Sequence, residues 1–325
     1  MGRLLAATDG RLSSSNASIM TLPSSSERGI FLDCSRRVKL RISGTDAVRF
    51  LNGQITNDLR KATANSAIQA SVLNAKGKLN GHVYISGEDN SFFLDADSEL
   101  REELPARLER YVIADDVELE DVTDRYAVFH VSGEAPVVGL RPAREALATR
   151  FGWVGRDLWF EKDQAERIHG DLAKSLPFCG DDCAEALRIE QGVPRWGREL
   201  TNEIIPLEAN LEATSIDYSK GCYIGQEVIS RMKMSGQTNK RLCGLVSVSG
   251  EPLGPDMRLR AGAGERKEAG WITSAIRSSR LQKEIALGYV KRGFFSEGNR
   301  LYAAKAGESD GNAELMIEVV SLPFV

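Results

Sequence analysis

The sequence contains few of the residues and patterns from which most metal and catalytic sites are built. Its only histidines are His82, His130 and His169, which stand in unrelated contexts. No two of them have the spacing that would place a pair of metal ligands on one helix face. The sequence also has no G-x-S-x-G nucleophile elbow, no Walker loop and no G-x-G-x-x-G between a strand and a helix. We therefore expect no resident metal, no Ser-His-Asp hydrolase and no dinucleotide-binding loop.

The chain also lacks positive charge in excess and long apolar runs. Its formal net charge of −4 disfavours a general nucleic-acid-binding surface. No apolar run approaches the roughly 20 residues that a membrane-spanning helix requires. We therefore expect a cytoplasmic protein with no membrane partner and no direct nucleic-acid partner.

Cysteines are few, odd in number and scattered along the chain. The five are Cys34, Cys179, Cys183, Cys222 and Cys243. No secretory segment precedes them, and this usage is typical of free thiols in a reducing compartment. The C-x-x-x-C pair of Cys179 and Cys183 does not have a usual zinc spacing, so we interpret it as structural.

Three regions differ in composition and pattern. Residues 1–27 are rich in serine, have no sustained apolar period and are predicted to form a disordered tail. Residues 28–240 alternate strands, hairpins and helices, which favours an α+β body with antiparallel pairing over a doubly wound parallel sheet. Residues 241–325 contain short strands and almost no helical period, which predicts a small antiparallel β-barrel.

Within the body, local patterns predict individual elements. Val38, Leu40 and Ile42 alternate with polar residues, as in a half-buried strand. Apolar stretches at 67–74 and 79–86 flank a turn and predict a hairpin. Helices are predicted at 97–111, 143–150, 163–175 and 181–190.

The segment from Lys220 to Glu227 combines a cysteine, a cation and two glycines before a helical run. A tight turn would deliver Cys222 to the start of that helix. The helix N-terminus and Lys220 would both favour its thiolate. The alternative is a structural cysteine beside a glycine turn.

A second candidate site surrounds a loop ordered by proline and glycine. Glu190 and Glu208 flank this loop, which also contains Trp196. A carboxylate accepts a pair of parallel N–H donors, and an aromatic face stacks on a flat heterocycle. The alternative is surface glutamates and a core tryptophan.

Three cations follow the Cys222 helix, namely Lys233, Lys240 and Arg241. They could bind carboxylates of a ligand or form a solvated linker.

Several segments together resemble the YgfZ family of folate-binding proteins, relatives of the glycine-cleavage T-protein (aminomethyltransferase). The resemblance lies in segments 38–59, 73–78, 188–211 and 220–227, and more weakly in 270–274 and 285–290. The most specific of these is Lys220-Gly221-Cys222-Tyr223-Ile224-Gly225-Gln226-Glu227, which is similar to the K-G-C-Y-x-G-Q-E signature of YgfZ-like proteins.

This resemblance implies a body of ferredoxin-like pieces around a central cavity that binds tetrahydrofolate or a one-carbon derivative. Glu190 and Glu208 fall where pterin-binding carboxylates are expected, Trp196 where an aromatic residue is usual, and Arg241 near the polar end of the folate. Cys222 is the expected functional thiol. The expected function is accessory: assembly or repair of iron–sulfur clusters, and through them tRNA modification, with iron–sulfur proteins or their assembly machinery as partners.

One departure from T-proteins bears on catalysis. T-proteins place an acidic residue shortly after the hairpin turn, whereas residues 77–83 contain none, and His82 is a weak substitute. This argues against aminomethyl transfer. The alternatives are a folate-dependent aminomethyltransferase or methyltransferase, and an interaction protein whose pocket is vestigial.

Overall fold

The structure is a computed structural model that describes residues 29–88, 90–133, 139–263, 267–304 and 314–325. The predicted tail at 1–27 lies outside the described residues.

The described residues form fifteen strands and six α-helices. The strands of the body are β1 (Phe31–Asp33), β2 (Val38–Ser43), β3 (Ile68–Leu73), β4 (Leu79–Glu88), β5 (Ser91–Ala96), β6 (Glu118–Asp121), β7 (Tyr126–Ser132), β8 (Arg144–Arg150) and β9 (Trp153–Glu161). The strands that follow are β10 (Lys240–Ser247), β11 (Arg258–Arg260), β12 (Glu268–Ser278), β13 (Lys283–Lys291), β14 (Arg300–Ala304) and β15 (Leu315–Val320). The helices are α1 (Ala47–Gln54), α2 (Glu103–Glu109), α3 (Ala165–Ala173), α4 (Asp181–Glu190), α5 (Glu212–Ser215) and α6 (Gln226–Ser235).

The first sheet of the body contains the predicted hairpin. Its strand order is β3-β4-β5-β2-β6. β3 and β4 pair antiparallel, with Ser71 opposite His82. Gly77, at a φ of +72°, makes the turn between them, a conformation that favours glycine. A Cβ at this position would also lie 2.9 Å from Val228 of α6, so the hairpin turn packs closely on that helix.

The second sheet, in the order β1-β7-β9-β8, corrects one prediction. The sequence predicts a helix at 143–150, but Arg144–Arg150 form β8 and pair with β9. Ala146, Ala148 and Arg150 are buried, while Glu145 and Leu147 are exposed, so burial alternates with the period of a strand. The residues are good helix formers, and pairing with β9 overrides that intrinsic preference.

The C-terminal strands form a closed six-stranded barrel, in the order β10-β13-β12-β11-β14-β15. Its interior is a core of its own that includes Leu245, Leu259 and Ile317. This confirms the predicted fold class, an α+β body followed by a small antiparallel barrel. Within the described residues, no helix combines the length and the apolar character needed to cross a membrane.

Helix α4 connects the body to the barrel through buried polar contacts. Arg188 donates to the Ser274 hydroxyl of β12 at 2.7 Å and to the Glu199 carboxylate at 3.1 Å. Ser274 in turn donates to the other oxygen of Glu199 at 2.7 Å. Because every polar group in this network has a partner, burial is compatible with the charges, and the network fixes α4 against the barrel.

The prediction of free thiols holds for only part of the cysteines. Cys34, Cys222 and Cys243 are free, whereas Cys179 and Cys183 form a disulfide at the beginning of α4. The sequence-based expectation is therefore corrected for this pair, since their Cα atoms lie 5.2 Å apart, within bridging distance.

Candidate functional site

A cavity of about 1010 Å³ lies where the two sheets, α4 and the barrel meet. Both sheets contribute side chains to its wall, among them His82 and Tyr84 of β4 and Arg150 of β8. Segments 191–195 and 209–211 form further parts of the wall. The barrel and the final residues supply the rest, from 241–243, 295–297 and 320–323.

A chain of alternating charges forms one part of the cavity wall and continues behind it. Arg37 pairs with both Asp95 and Asp97. Arg150 donates to Asp95 at 2.6 Å and to both oxygens of Asp157, at distances from 2.7 to 3.1 Å. Burial alone would raise the pKa of Asp157, but the Arg150 guanidinium and a hydrogen bond from His130 hold it well below its usual range.

Tyr84 lines the cavity beside these two cations, which also belong to its wall. The Arg150 guanidinium carbon is 3.9 Å from the centroid of the Tyr84 ring, and that of Arg37 is 5.5 Å away. Both contacts are within the range of cation–π attraction. Burial raises the pKa of the Tyr84 hydroxyl to about 12, so the side chain presents a neutral phenol to the cavity.

Helix α4 contributes a second charged group to the wall. Glu185 accepts hydrogen bonds from Arg188 at 2.6 and 2.5 Å and from Arg195 at 3.2 Å. Burial opposes ionisation, but the two arginines lower the pKa of Glu185. This carboxylate therefore faces the cavity in its charged form.

Of the residues predicted to bind a ligand, Arg241 lines the cavity. Its side chain is exposed, and its guanidinium carbon lies 5.0 Å from the centroid of the Phe295 ring. Its charge helps to lower the pKa of Glu212, but within the part of the chain that the structure describes no carboxylate lies within ion-pair distance of it. Arg241 thus presents an available positive charge at the cavity wall.

Glu190, Trp196 and Glu208 do not line this cavity, although residues adjacent to each of them do. The Glu190 carboxylate, 1% exposed, accepts hydrogen bonds from the Ser278 hydroxyl and from Arg280 of the barrel side. Glu208 accepts from the Ile205 amide at 3.2 Å and lies 3.7 Å from the Lys240 ammonium. Burial raises the pKa of Glu208.

Trp196 is also oriented away from the cavity. Its backbone amide donates to Asp97 at 3.1 Å, and its ring is buried in the core of the body. The segments that contain the predicted ligand-binding residues are therefore at the cavity, but these three side chains point behind its wall. Their contact with a pterin stays a prediction.

Cys222 is exposed and lies outside the cavity, on a loop held against the hairpin of the first sheet. Two residues further along the loop, the Ile224 amide donates to the Gly53 carbonyl at 3.1 Å. Gly225, at a φ of +85°, immediately precedes α6, and a Cβ there would lie 2.7 Å from the Asn74 carbonyl oxygen. Glycine is required by both the backbone conformation and the close approach, so the loop geometry is tightly determined.

Lys220 has hydrogen-bond partners that the sequence did not predict, and its effect on the Cys222 thiolate stays a prediction. Its ammonium donates to the carbonyls of Asn52 at 2.7 Å and Ile55 at 2.6 Å, at the end of α1. A cation at this position neutralises the unpaired carbonyls of a helix C-terminus. Lys220 thus anchors the loop to α1, and its hydrogen bonds do not go to the Cys222 thiol.

Comparisons with known proteins agree with this architecture. Residues 24–142 match the GCVT N-terminal domain, and residues 240–325 match the glycine cleavage T-protein C-terminal barrel domain. The tRNA-modifying protein YgfZ of Shigella dysenteriae is 27% identical over 256 residues, which cover 73% of this chain and 78% of that protein. The aminomethyltransferase of Bacillus pumilus is 25% identical over 293 residues, covering 81% of this chain and 79% of the other.

A solved structure shares the fold. The glycine cleavage system aminomethyltransferase T from Bartonella henselae superposes with a TM-score of 0.78 and covers 92% of this chain and 86% of that chain, at 17% identity. The chain is a YgfZ-type relative of the glycine cleavage T-protein.

Sequence reasoning missed several residues that line the cavity of this YgfZ-type chain. Arg150 lies in a segment whose composition predicts a helix, and Tyr84 is hidden within an apolar strand. The alternation of Ala146, Ala148 and Arg150 was the signal that could have placed Arg150 on one face of a strand. Glu185 and Arg188 have the i, i+3 spacing of one helix face, which could have paired them.

Proposed function

We propose that this YgfZ-type chain is a cytoplasmic, tetrahydrofolate-binding accessory protein that acts in iron–sulfur cluster assembly or repair, and thereby in tRNA modification. The observation that carries the proposal is the cavity of about 1010 Å³ between body and barrel in a chain with the T-protein fold. Relatives named as tRNA-modifying protein YgfZ support the tRNA part of the proposal.

The residues at the cavity fit a reduced folate in size and chemistry. Small-molecule sites typically enclose roughly 300–1000 Å³, so the volume is sufficient for a molecule of this size. Arg241 offers its guanidinium group to the carboxylates of the glutamate end. Glu185 offers a charged carboxylate to N–H donors such as those of a pterin. When bound, a reduced folate would supply one-carbon chemistry.

In this proposal, the buried residues predicted from the sequence contribute by positioning the wall. Glu190 joins the end of α4 to Ser278 and Arg280, and segment 191–195 of the wall follows directly. Glu208 and Trp196 anchor the backbone beside the remaining loop segments through Ile205 and Asp97. These contacts restrict the conformations of the free cavity and so reduce the cost of ordering it on binding.

Cys222 is the proposed functional thiol, and it acts at the surface. Its exposure makes it accessible to a protein partner. The described residues contain no group of three or more His, Cys, Asp or Glu side chains that could bind a metal ion. The iron–sulfur cluster therefore belongs to the partner in this proposal, and the chain contributes a single thiol together with the folate cavity.

Calorimetric titration with tetrahydrofolate tests the binding half of the proposal. We expect saturable binding at micromolar to millimolar ligand, weakened in Arg241→Ala. Absence of binding would favour the interaction protein with a vestigial pocket.

The proposed role of Cys222 is tested by complementation of a deletion strain, in which Cys222→Ala should fold but fail to restore cluster-dependent activity. Full rescue by Cys222→Ala would return this cysteine to a structural role.

A folate-dependent aminomethyltransferase is the second candidate, because relatives of that name match over most of the chain. The hairpin argues against it. Residues 77–83 contain no carboxylate, and the titratable side chain that this segment presents to the cavity is His82. Turnover with an aminomethyl donor, independent of Cys222, would establish the transferase and displace the accessory role.

A further inference from the structure

His82 has an unusual position in the cavity wall. It lies on β4 directly opposite Ser71 of β3, and it shares a strand face with Tyr84. Its side chain lines the cavity, although only 7% of the residue is exposed. The Tyr84 ring packs against it edge to face, with ring centroids 5.9 Å apart. The imidazole is therefore fixed in place by its neighbours.

This buried imidazole makes no hydrogen bond to any of the residues that the structure describes. Nδ1 is fully enclosed and has no partner. Nε2 is not among the enclosed atoms, so it is the ring nitrogen with access to the cavity. Buried polar groups in native proteins are nearly always satisfied, so an unsatisfied one calls for a specific explanation.

The protonation state follows from the surroundings. Burial lowers the pKa of His82 to about 4, and attraction to Asp97 only partly opposes this. The ring is thus neutral and has one N–H. An enclosed N–H without an acceptor is less favourable than an enclosed bare nitrogen, so the proton belongs on Nε2. A single N–H donor consequently points to the cavity.

We infer that His82 is a ligand-contacting residue, whose Nε2–H donates a hydrogen bond to an oxygen or ring-nitrogen acceptor of the molecule in the cavity. Folate offers such acceptors in its oxo group, ring nitrogens and amide carbonyl. This inference deepens the proposed function and rests on it, since it assigns a contact within the same cavity. It predicts that the ring nitrogens cost stability in the free protein and contribute affinity in the complex.

The test compares binding and stability in matched variants. His82→Phe preserves a ring of similar size and removes both nitrogens. We expect it to raise the Kd for tetrahydrofolate about three- to tenfold, the range for one hydrogen bond, without lowering the thermal midpoint of the free protein. His82→Gln restores a donor and should recover part of the affinity. His169→Phe is the control, because His169 packs among Phe31, Phe129 and Phe178 and does not line the cavity.

Ring ¹⁵N NMR provides a second readout, taken on the unsubstituted protein itself. With three histidines in the chain, the His82 signals can be assigned from the two phenylalanine variants. We expect a neutral ring with its proton on Nε2, whose signal moves on addition of tetrahydrofolate while that of His130 does not.

The outcomes separate this inference from the proposed function. If the unsubstituted protein binds tetrahydrofolate but His82→Phe binds equally well, the contact is wrong and the folate proposal stands. A His82 signal that does not move on binding leads to the same conclusion. A lowered thermal midpoint in His82→Phe would mark a structural histidine and overturn the inference. No binding by the unsubstituted protein would overturn both proposals.

Discussion

Arg150 and Asp157 form a buried two-point ion pair at the cavity wall. Arg150 Nε donates to both carboxylate oxygens, at 2.9 and 3.1 Å, and Nη2 donates at 2.7 Å. Both side chains are almost completely buried, and the carboxylate also contacts His130 at 2.8 Å. A pair with this geometry holds the Arg150 guanidinium against the Tyr84 ring. This part of the cavity wall therefore depends on the charge of Arg150.

Arg150→Met should destabilise the protein by about 3–5 kcal/mol, because it leaves the Asp157 carboxylate without its cation in a buried site. Urea denaturation measures the change. The matched control is Arg36→Met, which removes another cavity arginine whose partner Asp181 is 88% exposed. An exposed pair contributes about 0–1 kcal/mol. Equal effects of the two substitutions would contradict the burial argument.

Acid should destabilise the protein below about pH 4. The pKa values of Asp157 and Asp97 are lowered in the folded state, since their arginine partners outweigh the opposing effect of burial. Their stabilisation is therefore complete above the unfolded value of about 3.9, and it is lost as the pH falls and the unfolded chain binds protons first. Thermal midpoints measured between pH 7 and pH 3 give the slope of stability against pH.

Arg150→Met serves as the control for that slope. Without the guanidinium, the pKa of Asp157 should move back towards its ordinary value or above it. The acid loss of stability should then be shallower in the variant than in the unsubstituted protein. Parallel curves would show that this carboxylate is not the source of the pH dependence.

Substitutions of three glutamates should distinguish residues that contact the ligand from residues that support the cavity wall. Glu185→Gln should weaken tetrahydrofolate binding by about 1–3 kcal/mol, because it removes a charged acceptor that faces the cavity. Glu190→Gln should mainly reduce stability, by a similar amount, since its carboxylate is bonded to Ser278 and Arg280. Calorimetry and thermal unfolding on the same variants separate the two effects.

Glu208→Gln tests the direct pterin contact predicted from the sequence. Its carboxylate lies behind the wall, near Lys240, so the geometry predicts a smaller loss of affinity than for Glu185→Gln. A loss as large as that of Glu185→Gln would instead establish the predicted contact, and the ligand would then have to extend behind the wall.

Native thiol labelling should detect one fast-reacting cysteine, Cys222. It is exposed, whereas Cys243 is buried and Cys34 is half-buried in the cavity wall. Burial raises the pKa values of both to about 11, so both stay protonated and should react more slowly than Cys222. Cys179 and Cys183 are joined in a disulfide. Time-resolved labelling with mass spectrometry measures the order, and Cys222→Ala should remove the fast phase. Labelling of Cys34 as fast as that of Cys222 would contradict its raised pKa.

Much of the fold could be predicted from the sequence because the relevant signals are local. The hairpin of β3 and β4 follows from two apolar stretches around a glycine turn, and the barrel strands follow from short runs between turn residues. The signature around Cys222 identified the family because it, too, is a local signal. It requires glycine at a position whose backbone is left-handed and in contact with the Asn74 carbonyl.

The directions of side chains depend on tertiary packing. Consecutive residues from Leu187 to Glu190 are all buried, because α4 passes between the cavity and the barrel. When every face of a helix is covered, hydrophobic periodicity does not indicate which face meets which neighbour. The sequence could therefore place Glu190 near the site but not show that it faces Ser278 and Arg280.

The amino-acid sequence was sufficient to predict the fold class, the family and the segments that surround the cavity. The folded chain was needed to show that Arg150 belongs to a strand, that Lys220 binds the end of α1, and that His82 faces the cavity without a partner among the described residues. The physical reason is the distance along the chain over which each signal acts. Turn residues and periodicity act over a few neighbouring positions, whereas these partners are brought together from distant parts of the chain by packing.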